Sequence, residues 1–181
     1  GANMPRLAAV DPAAAEGLAA TLFAGIKKAI GKVPNAYAVI GTHSPESLAA
    51  ALALDQALAK TSLARGELEV VKLAVSAHVG CDYCVAAHSL MGKMTGLSPD
   101  ELRQIRTGGG TGKEKLDALL YFVRQLVSTR GTIPAKEVEA MQAAGYSSRQ
   151  LIEIALAVSS ATFTNLVNRI NDTDIDFPAV D

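Results

Sequence analysis

Tryptophan is missing from this 181-residue chain, and phenylalanine and tyrosine bring the aromatic share to only 4%. Single-stranded nucleic acids are held largely by stacking bases on aromatic rings, so that platform is nearly absent. Neither sign of charge prevails: 17 Lys and Arg face 18 Asp and Glu, a formal charge of −1. Without a cationic excess to displace counterions from a phosphate backbone or to settle on an anionic bilayer, neither nucleic acid nor a membrane is an expected partner. Cysteine is scarce too, at two residues, both in one short run and not in the dispersed pattern of a disulfide-stapled secreted domain. Apolar runs are brief: Leu48 to Leu54 and Ile154 to Val158 read as helix faces, short of the roughly 18 residues that span a bilayer. Gly1 to Arg6 show no basic region leading into an apolar block, so a reducing, cytoplasmic location is expected.

What is present argues for a folded, helical chain. Hydrophobic residues make up 49% and charged residues 19%, far from the composition of disorder, and the length suits one domain over residues 1–181. Asp11-Pro12 and Ser44-Pro45 each read as an N-cap followed by Pro at the first helical position, predicting helices near 12–30 and 45–60. Capping boxes at Ser98 to Glu101, Thr111 to Glu114 and Ser147 to Gln150 open three more, while Gly31, Gly96 and Gly145 suit left-handed C-terminal caps. Further helices are expected at 65–79, 81–95 and 134–144. Leu116, Leu119, Leu120, Val123 and Val127 recur at three and four residues, as do Leu151, Ile154, Ala155, Val158 and Thr162, so the fold class is all-α. Leu73-Ala74-Val75-Ser76 returns as Leu156-Ala157-Val158-Ser159, either an internal repeat or coincidence in an Ala- and Leu-rich chain. In the repeat reading Thr164, Val167 and Asn171 stand where the first copy has Cys81, Cys84 and His88, so only the first copy carries thiol chemistry.

The chemistry concentrates between Glu67 and His88. Gly80 breaks the preceding helix, and Cys81, Cys84 and His88 then fall at i, i+3 and i+7 on one helical stripe. Residues three apart on a helix lie within the Cα window of a disulfide, so a reversible dithiol is geometrically allowed. The nucleophile is the thiolate, and a free cysteine of pKa near 8.5 is only about 3% ionised at pH 7. His88, one turn from Cys84, supplies a base or a stabilising imidazolium, and Glu69 on the preceding helix supplies its orienting acceptor if the turn at Gly80 folds the two helices together. Other readings stand beside these. Glu69 on its own is a surface residue paired with Lys72 at i+3. The two cysteines with His88 and His78 would make an all-local zinc site, whereas structural zinc usually draws ligands from two separated knuckles. His43 and His78 are otherwise ordinary helix or loop residues. Gly108 to Lys113 lacks the leading Gly, the Ser or Thr and the strand of a phosphate loop, and is an interhelical connection. Asp172, Asp174 and Asp176 lack the Gly and the Glu of a calcium loop, and are expected to be a solvated tail.

The pattern Glu69-x11-Cys81-x2-Cys84-x3-His88, with Leu73 to Ser76 and Cys84 to His88 around it, resembles the core motif of AhpD-like alkylhydroperoxidases in the carboxymuconolactone decarboxylase family. Val33 to Tyr37, Ser44 to Glu46 and Asn165 to Pro178 resemble the peroxidase-related branch. The resemblance implies an AhpD-like multi-helix bundle forming a homo-oligomer (dimer, trimer or hexamer), its cysteine-bearing core at about 45–130 and its C-terminal helices and tail at 131–181. It implies a cofactor-free thiol peroxidase acting on organic hydroperoxides or hydrogen peroxide, re-reduced by an external dithiol. By position Cys84 is peroxidatic, Cys81 resolving, and His88 with Glu69 a proton relay. Tyr83 stands where well-studied members can carry a second His, as a possible auxiliary donor, and Asp82 beside it tends to raise a thiol pKa. Alternatives are a carboxymuconolactone decarboxylase-like enzyme, for which paired cysteines have no evident use, and a non-enzymatic redox-sensing module.

Overall fold

Caps written into the sequence set most of the helix boundaries in the computed structural model, which describes residues 3–181. Among the described residues there are nine α-helices and no strand. They are α1 Gly17–Ile30, α2 Asn35–His43, α3 Pro45–Ala59, α4 Arg65–Val79, α5 Asp82–Met94, α6 Pro99–Thr107, α7 Glu114–Thr129, α8 Ala135–Ala143 and α9 Ser148–Asn171. At α6 the Ser98 hydroxyl accepts from the Glu101 amide while the Glu101 carboxylate accepts from the Ser98 amide, and Ser147 with Gln150 repeats the exchange at α9. Each such cap satisfies orphan donors and contributes about 1 kcal/mol.

Three boundaries differ from the sequence expectation. The segment expected as one helix over 12–30 is a 3-10 turn, Pro12–Ala14, then a break before α1, because Asp11 caps only that turn. Helix α2 was not expected: its Val39-Ile40-Gly41 centre carries little helix propensity, and packing supplies what propensity does not. A Cβ at Gly41 would sit 2.6 Å from the Phe23 ring, so α1 crosses α2 where there is no side chain. Thr111 does not cap α7. Its amide and hydroxyl both donate to Asp117, Gly112 adds a third bond, and Lys113 occupies the cap position. Burial works to raise the Asp117 pKa, but the Thr111 and Gly112 hydrogen bonds and the Arg124 charge outweigh it and hold the carboxyl below its ordinary value.

Helix α4 runs through the centre. Val70, Val71, Leu73, Ala74, Val75 and Ser76 are buried in near-continuous succession, as in a helix covered on every side, and α5, α6, α7 and α9 cover it. A second apolar cluster, built on Phe23, Ile26, Val39, Ile40 and Leu48, joins α1, α2 and α3 and reaches α9 through Phe163 and Val167. The stripe expected on α9 is rotated: Ala155 and Thr162 are exposed, while Ile154, Ala157, Ala161, Asn165 and Asn168 face inward. An 18-residue window of α9 reaches a mean hydropathy of 1.3, so by length and composition this helix is long and apolar enough to cross a bilayer, contrary to the expectation of short apolar runs only. Its inward face carries Asn165, Asn168 and Asn171, all buried, and packs on α4 and α3.

Candidate functional site

Gly80 ends α4 in the left-handed conformation, φ 73°, which an L side chain adopts at a cost, and the chain doubles back so that α5 lies along α4. Cys81 becomes the N-cap of α5, its sulfur accepting from the Cys84 amide at 3.4 Å. The two cysteines, with Cα atoms 5.3 Å apart, are joined as a disulfide. Both are buried, at 2% exposure each, in a small cluster with Ala36, Tyr83 and Phe177.

The antiparallel pair brings Glu69 to His88. Nδ1 of the ring lies 2.9 Å from Glu69 Oε2, and both side chains are largely buried. Glu69 does not pair with Lys72, as the local reading of the sequence had it: Lys72 turns to Asp55 of α3, at 3.2 Å. Asp55 also accepts from Ser160 of α9 at 2.8 Å and from Tyr37 of α2 at 3.4 Å. Burial pushes the Tyr37 phenol well above its ordinary pKa, with the carboxylates of Asp55 and Glu69 adding to the shift, so it stays a protonated donor. Cys84, His88, Lys72, Asp55 and Tyr37 all line one cavity of about 580 Å³ between α1, α2, α3, α4, α5 and α9, its remaining wall mostly apolar: Leu22, Ile26, Leu52, Met91 and Phe177 among others.

Asn168 of α9 completes the surroundings of the cysteine pair. Its Nδ2 donates to Cys84 Sγ at 3.4 Å, while Oδ1 is buried without a protein partner. Nothing in the local sequence marks it, since it stands 84 residues from Cys84 in an unremarkable Asn-Leu-Val-Asn run. Asp55, Tyr37 and Ser160 were missed for the same reason.

Tyr83 has its hydroxyl committed. It donates to Asp176 at 2.7 Å and accepts from the Ala36 amide at 3.1 Å. Burial raises its pKa, the Ala36 bond acts the other way, and the Asp176 contact adds to the rise. The expected solvated tail is therefore tied down. Asp176 also accepts from the Asn35 amide at the start of α2 and pairs with Lys32 at 3.4 Å, and Phe177 stands edge-on to Tyr83 with ring centroids 5.5 Å apart. The tail's carboxylate meets the orphan donors of a helix N-terminus, which a reading of local polarity does not register. Asp82 is exposed, and so are His78 and His43, the latter bonding the Ala8 carbonyl. Among the described residues no group of three or more His, Cys, Asp and Glu converges as a metal site.

Residues 45–111 match the model of the carboxymuconolactone decarboxylase family. That matched segment is the part of the chain that is similar to the family. It holds Glu69, Cys81, Cys84 and His88, so the family resemblance read from those residues stands. Among solved structures, the whole chain superposes on an alkylhydroperoxidase AhpD core, an uncharacterized peroxidase-related protein from Ralstonia eutropha JMP134. The TM-score is 0.85 at 21% identity, over 95% of this chain and 92% of that one. A second peroxidase-related protein, from Silicibacter sp. TM1040, gives 0.78 at 20% identity over 94% of each chain. The debrominase Bmp8, in complex with 2,3,4-tribromopyrrole, gives 0.80 at 18% identity over 97% of this chain and 94% of that one. At these identities the likeness is one of fold, and the fold is AhpD-like. No curated protein sequence matches the chain.

Proposed function

We propose that the protein is a thiol-dependent peroxidase that reduces organic hydroperoxides, with hydrogen peroxide as a lesser substrate, through the Cys81–Cys84 pair. The observation that carries the reading is the Glu69–His88 contact at 2.9 Å beside a disulfide, with Cys84 and His88 facing one apolar cavity. In the reduced protein the Cys84 thiolate attacks one peroxide oxygen, the O–O bond breaks, and the departing alkoxide takes a proton to leave as the alcohol. Cys84 becomes a sulfenic acid. Cys81 then attacks the Cys84 sulfur and expels water, leaving the disulfide. A carboxylate on Nδ1 fixes the ring tautomer and leaves Nε2 to deliver or collect these protons, a contribution of about 10² to 10⁴ for a positioned acid–base group. Asn168 donates to the Cys84 sulfur and so favours its anionic form as attacking and leaving group. Tyr83 acts through the tail it holds and not as a proton donor, because both capacities of its hydroxyl are used.

A cavity of about 580 Å³ lies in the range that binds drug-sized ligands and is far larger than hydrogen peroxide requires, which favours a bulky organic hydroperoxide. The test is peroxide consumption with excess dithiothreitol. Turnover of cumene hydroperoxide is expected to exceed that of hydrogen peroxide and to vanish in Cys84→Ser, and full turnover by that variant overturns the assignment. Stoichiometric oxidation without turnover would instead mark a redox sensor, and release of carbon dioxide from a lactone acid a decarboxylase. The homo-oligomer is supported by exposed Ile152, Leu156, Leu166 and Ile170 on α9, which with partly buried Phe163 lie along one helical stripe, interrupted at Ser159 and suited to a second helix. Sedimentation is expected to show more than a monomer.

A further inference from the structure

The two cysteines line different cavities. Cys84 lines the large apolar chamber and Cys81 does not, whereas Cys81 lines a second cavity of about 200 Å³ that Cys84 does not reach. Polar groups dominate this second space: Asp82 and Asp172 carry carboxylates, Arg169 a guanidinium, and Asn3 and Thr173 close its far wall. That wall is pinned. The Asn3 amide donates to the Thr173 carbonyl at 2.6 Å, the Met4 amide donates to Asp172, and Arg169 spends a donor on the Val79 carbonyl. Asn168 lines both cavities, bonds Cys84, and leaves its buried Oδ1 without a protein partner.

We propose that this second cavity is the entrance for the reductant, that Cys81 is the sulfur it attacks, and that the ligand is a small uncharged or cationic dithiol. In thiol–disulfide exchange the attacking sulfur, the attacked sulfur and the leaving sulfur lie in line, so a nucleophile reaches Cys81 from a space that excludes Cys84. The first thiolate forms a bond to Cys81 Sγ, the Cys81–Cys84 bond breaks, and its electron pair leaves on Cys84. That sulfur is the one already facing the Asn168 amide, with His88 one turn further on. The reductant's second thiol then attacks its own first sulfur, closes a disulfide and releases Cys81, which takes up a proton. The dithiol loses two electrons and the protein gains two. Two carboxylates against one partly engaged guanidinium disfavour an anionic thiol, and the volume admits a thiol-bearing arm of a few heavy atoms, not a bulky chain. Substrate and reductant then need not exchange places in one pocket. The proposal rests on the thiol-cycle reading only for why the disulfide must be reopened.

The experiment starts from the full chain oxidised with diamide, so that no peroxide chemistry enters. Loss of the disulfide is followed by alkylation and mass spectrometry under excess cysteamine or excess 2-mercaptoethanesulfonate, compared at equal thiolate concentration. Cysteamine is expected to react faster, and Asp82→Lys to lower the ratio of the two rates roughly three- to tenfold, the size expected for reversing one screened charge at the mouth. In the unmodified protein, acid quenching and tandem mass spectrometry are expected to place the mixed disulfide on Cys81. An adduct on Cys84, or a rate ratio that ignores Asp82→Lys, overturns the route and leaves the peroxidase reading standing. Inertness to every hydroperoxide sinks that reading and leaves this assay to decide the route.

Discussion

Helices α4 and α9 carry the same tetrapeptide, Leu73 to Ser76 in one and Leu156 to Ser159 in the other, and bury it differently. Leu73 is fully buried and Leu156 is 36% exposed. Ser76 is sealed in the interior and accepts from Asn165, whereas Ser159 is exposed and bonds back to its own helix at Ala155. The four residues are identical, so the difference comes from what lies around each helix. Helix α4 is surrounded, and α9 presents one face to α4 and leaves the other free. The two helices nevertheless share the site, α4 supplying Glu69 and Lys72 and α9 supplying Ser160 and Asn168.

The sharpest way to break this comparison is to truncate the paired leucines. Leu73→Ala is expected to cost about 2 to 5 kcal/mol by chemical denaturation, as for a large side chain removed from a packed core, and Leu156→Ala less than about 1 kcal/mol at protein concentrations low enough to dissociate the proposed oligomer. Equal losses under that condition would mean that Leu156 is held as firmly as Leu73 within the single chain. Next in size, Glu69→Gln keeps the shape of the α4 contribution but loses the carboxylate on His88. Its kcat/KM for cumene hydroperoxide should fall about a hundredfold, roughly 2.7 kcal/mol, with thermal stability nearly unchanged. The α9 contribution is smaller: Asn168→Leu removes one donor to Cys84, and single-turnover oxidation is expected to slow about tenfold, or ~1.4 kcal/mol. An unchanged rate would leave the α9 face as packing alone.

The smallest effect lies away from both helices. Asp117 and Glu101 are held below their ordinary pKa values, Glu101 mainly by its hydrogen bonds with Lys113 and the Ser98 amide. A carboxyl with a depressed folded-state pKa adds stability above its unfolded value, and that stability disappears as pH falls through the folded one. Asp117→Asn should therefore cost roughly 1 kcal/mol at neutral pH, and the gap to the unmodified protein should close progressively below about pH 4. Urea titrations at pH 7 and at pH 3 read this directly.

Legibility followed the range of the interactions. The α4 and α5 boundaries, the break at Gly80 and the stripe of Cys81, Cys84 and His88 depend on neighbours within a few residues, and the sequence carries them. The Glu69–His88 contact needed only the turn at Gly80 as well. The inward face of α9 was misjudged because beyond Ile154 it is made of Ala, Ser and Asn, which hydropathy does not rank with the large apolar residues. Ala155 and Thr162 continued the apolar rhythm without facing the core. The tail misled for a related reason: Asp172, Asp174 and Asp176 look solvated until the Tyr83 hydroxyl and the Asn35 amide are brought to Asp176.

By itself, then, the order of residues determined the helical class, the positions of the caps and the one segment able to run dithiol chemistry, because backbone capping and helical periodicity act over a turn or less. Tertiary structure alone decided that α9 sends Asn168 to the sulfur, that Lys72 answers Asp55 and not Glu69, and that each cysteine faces a cavity of its own. Those contacts join residues 17 to 84 positions apart, and only the packing of helices around α4 fixes which distant side chains meet.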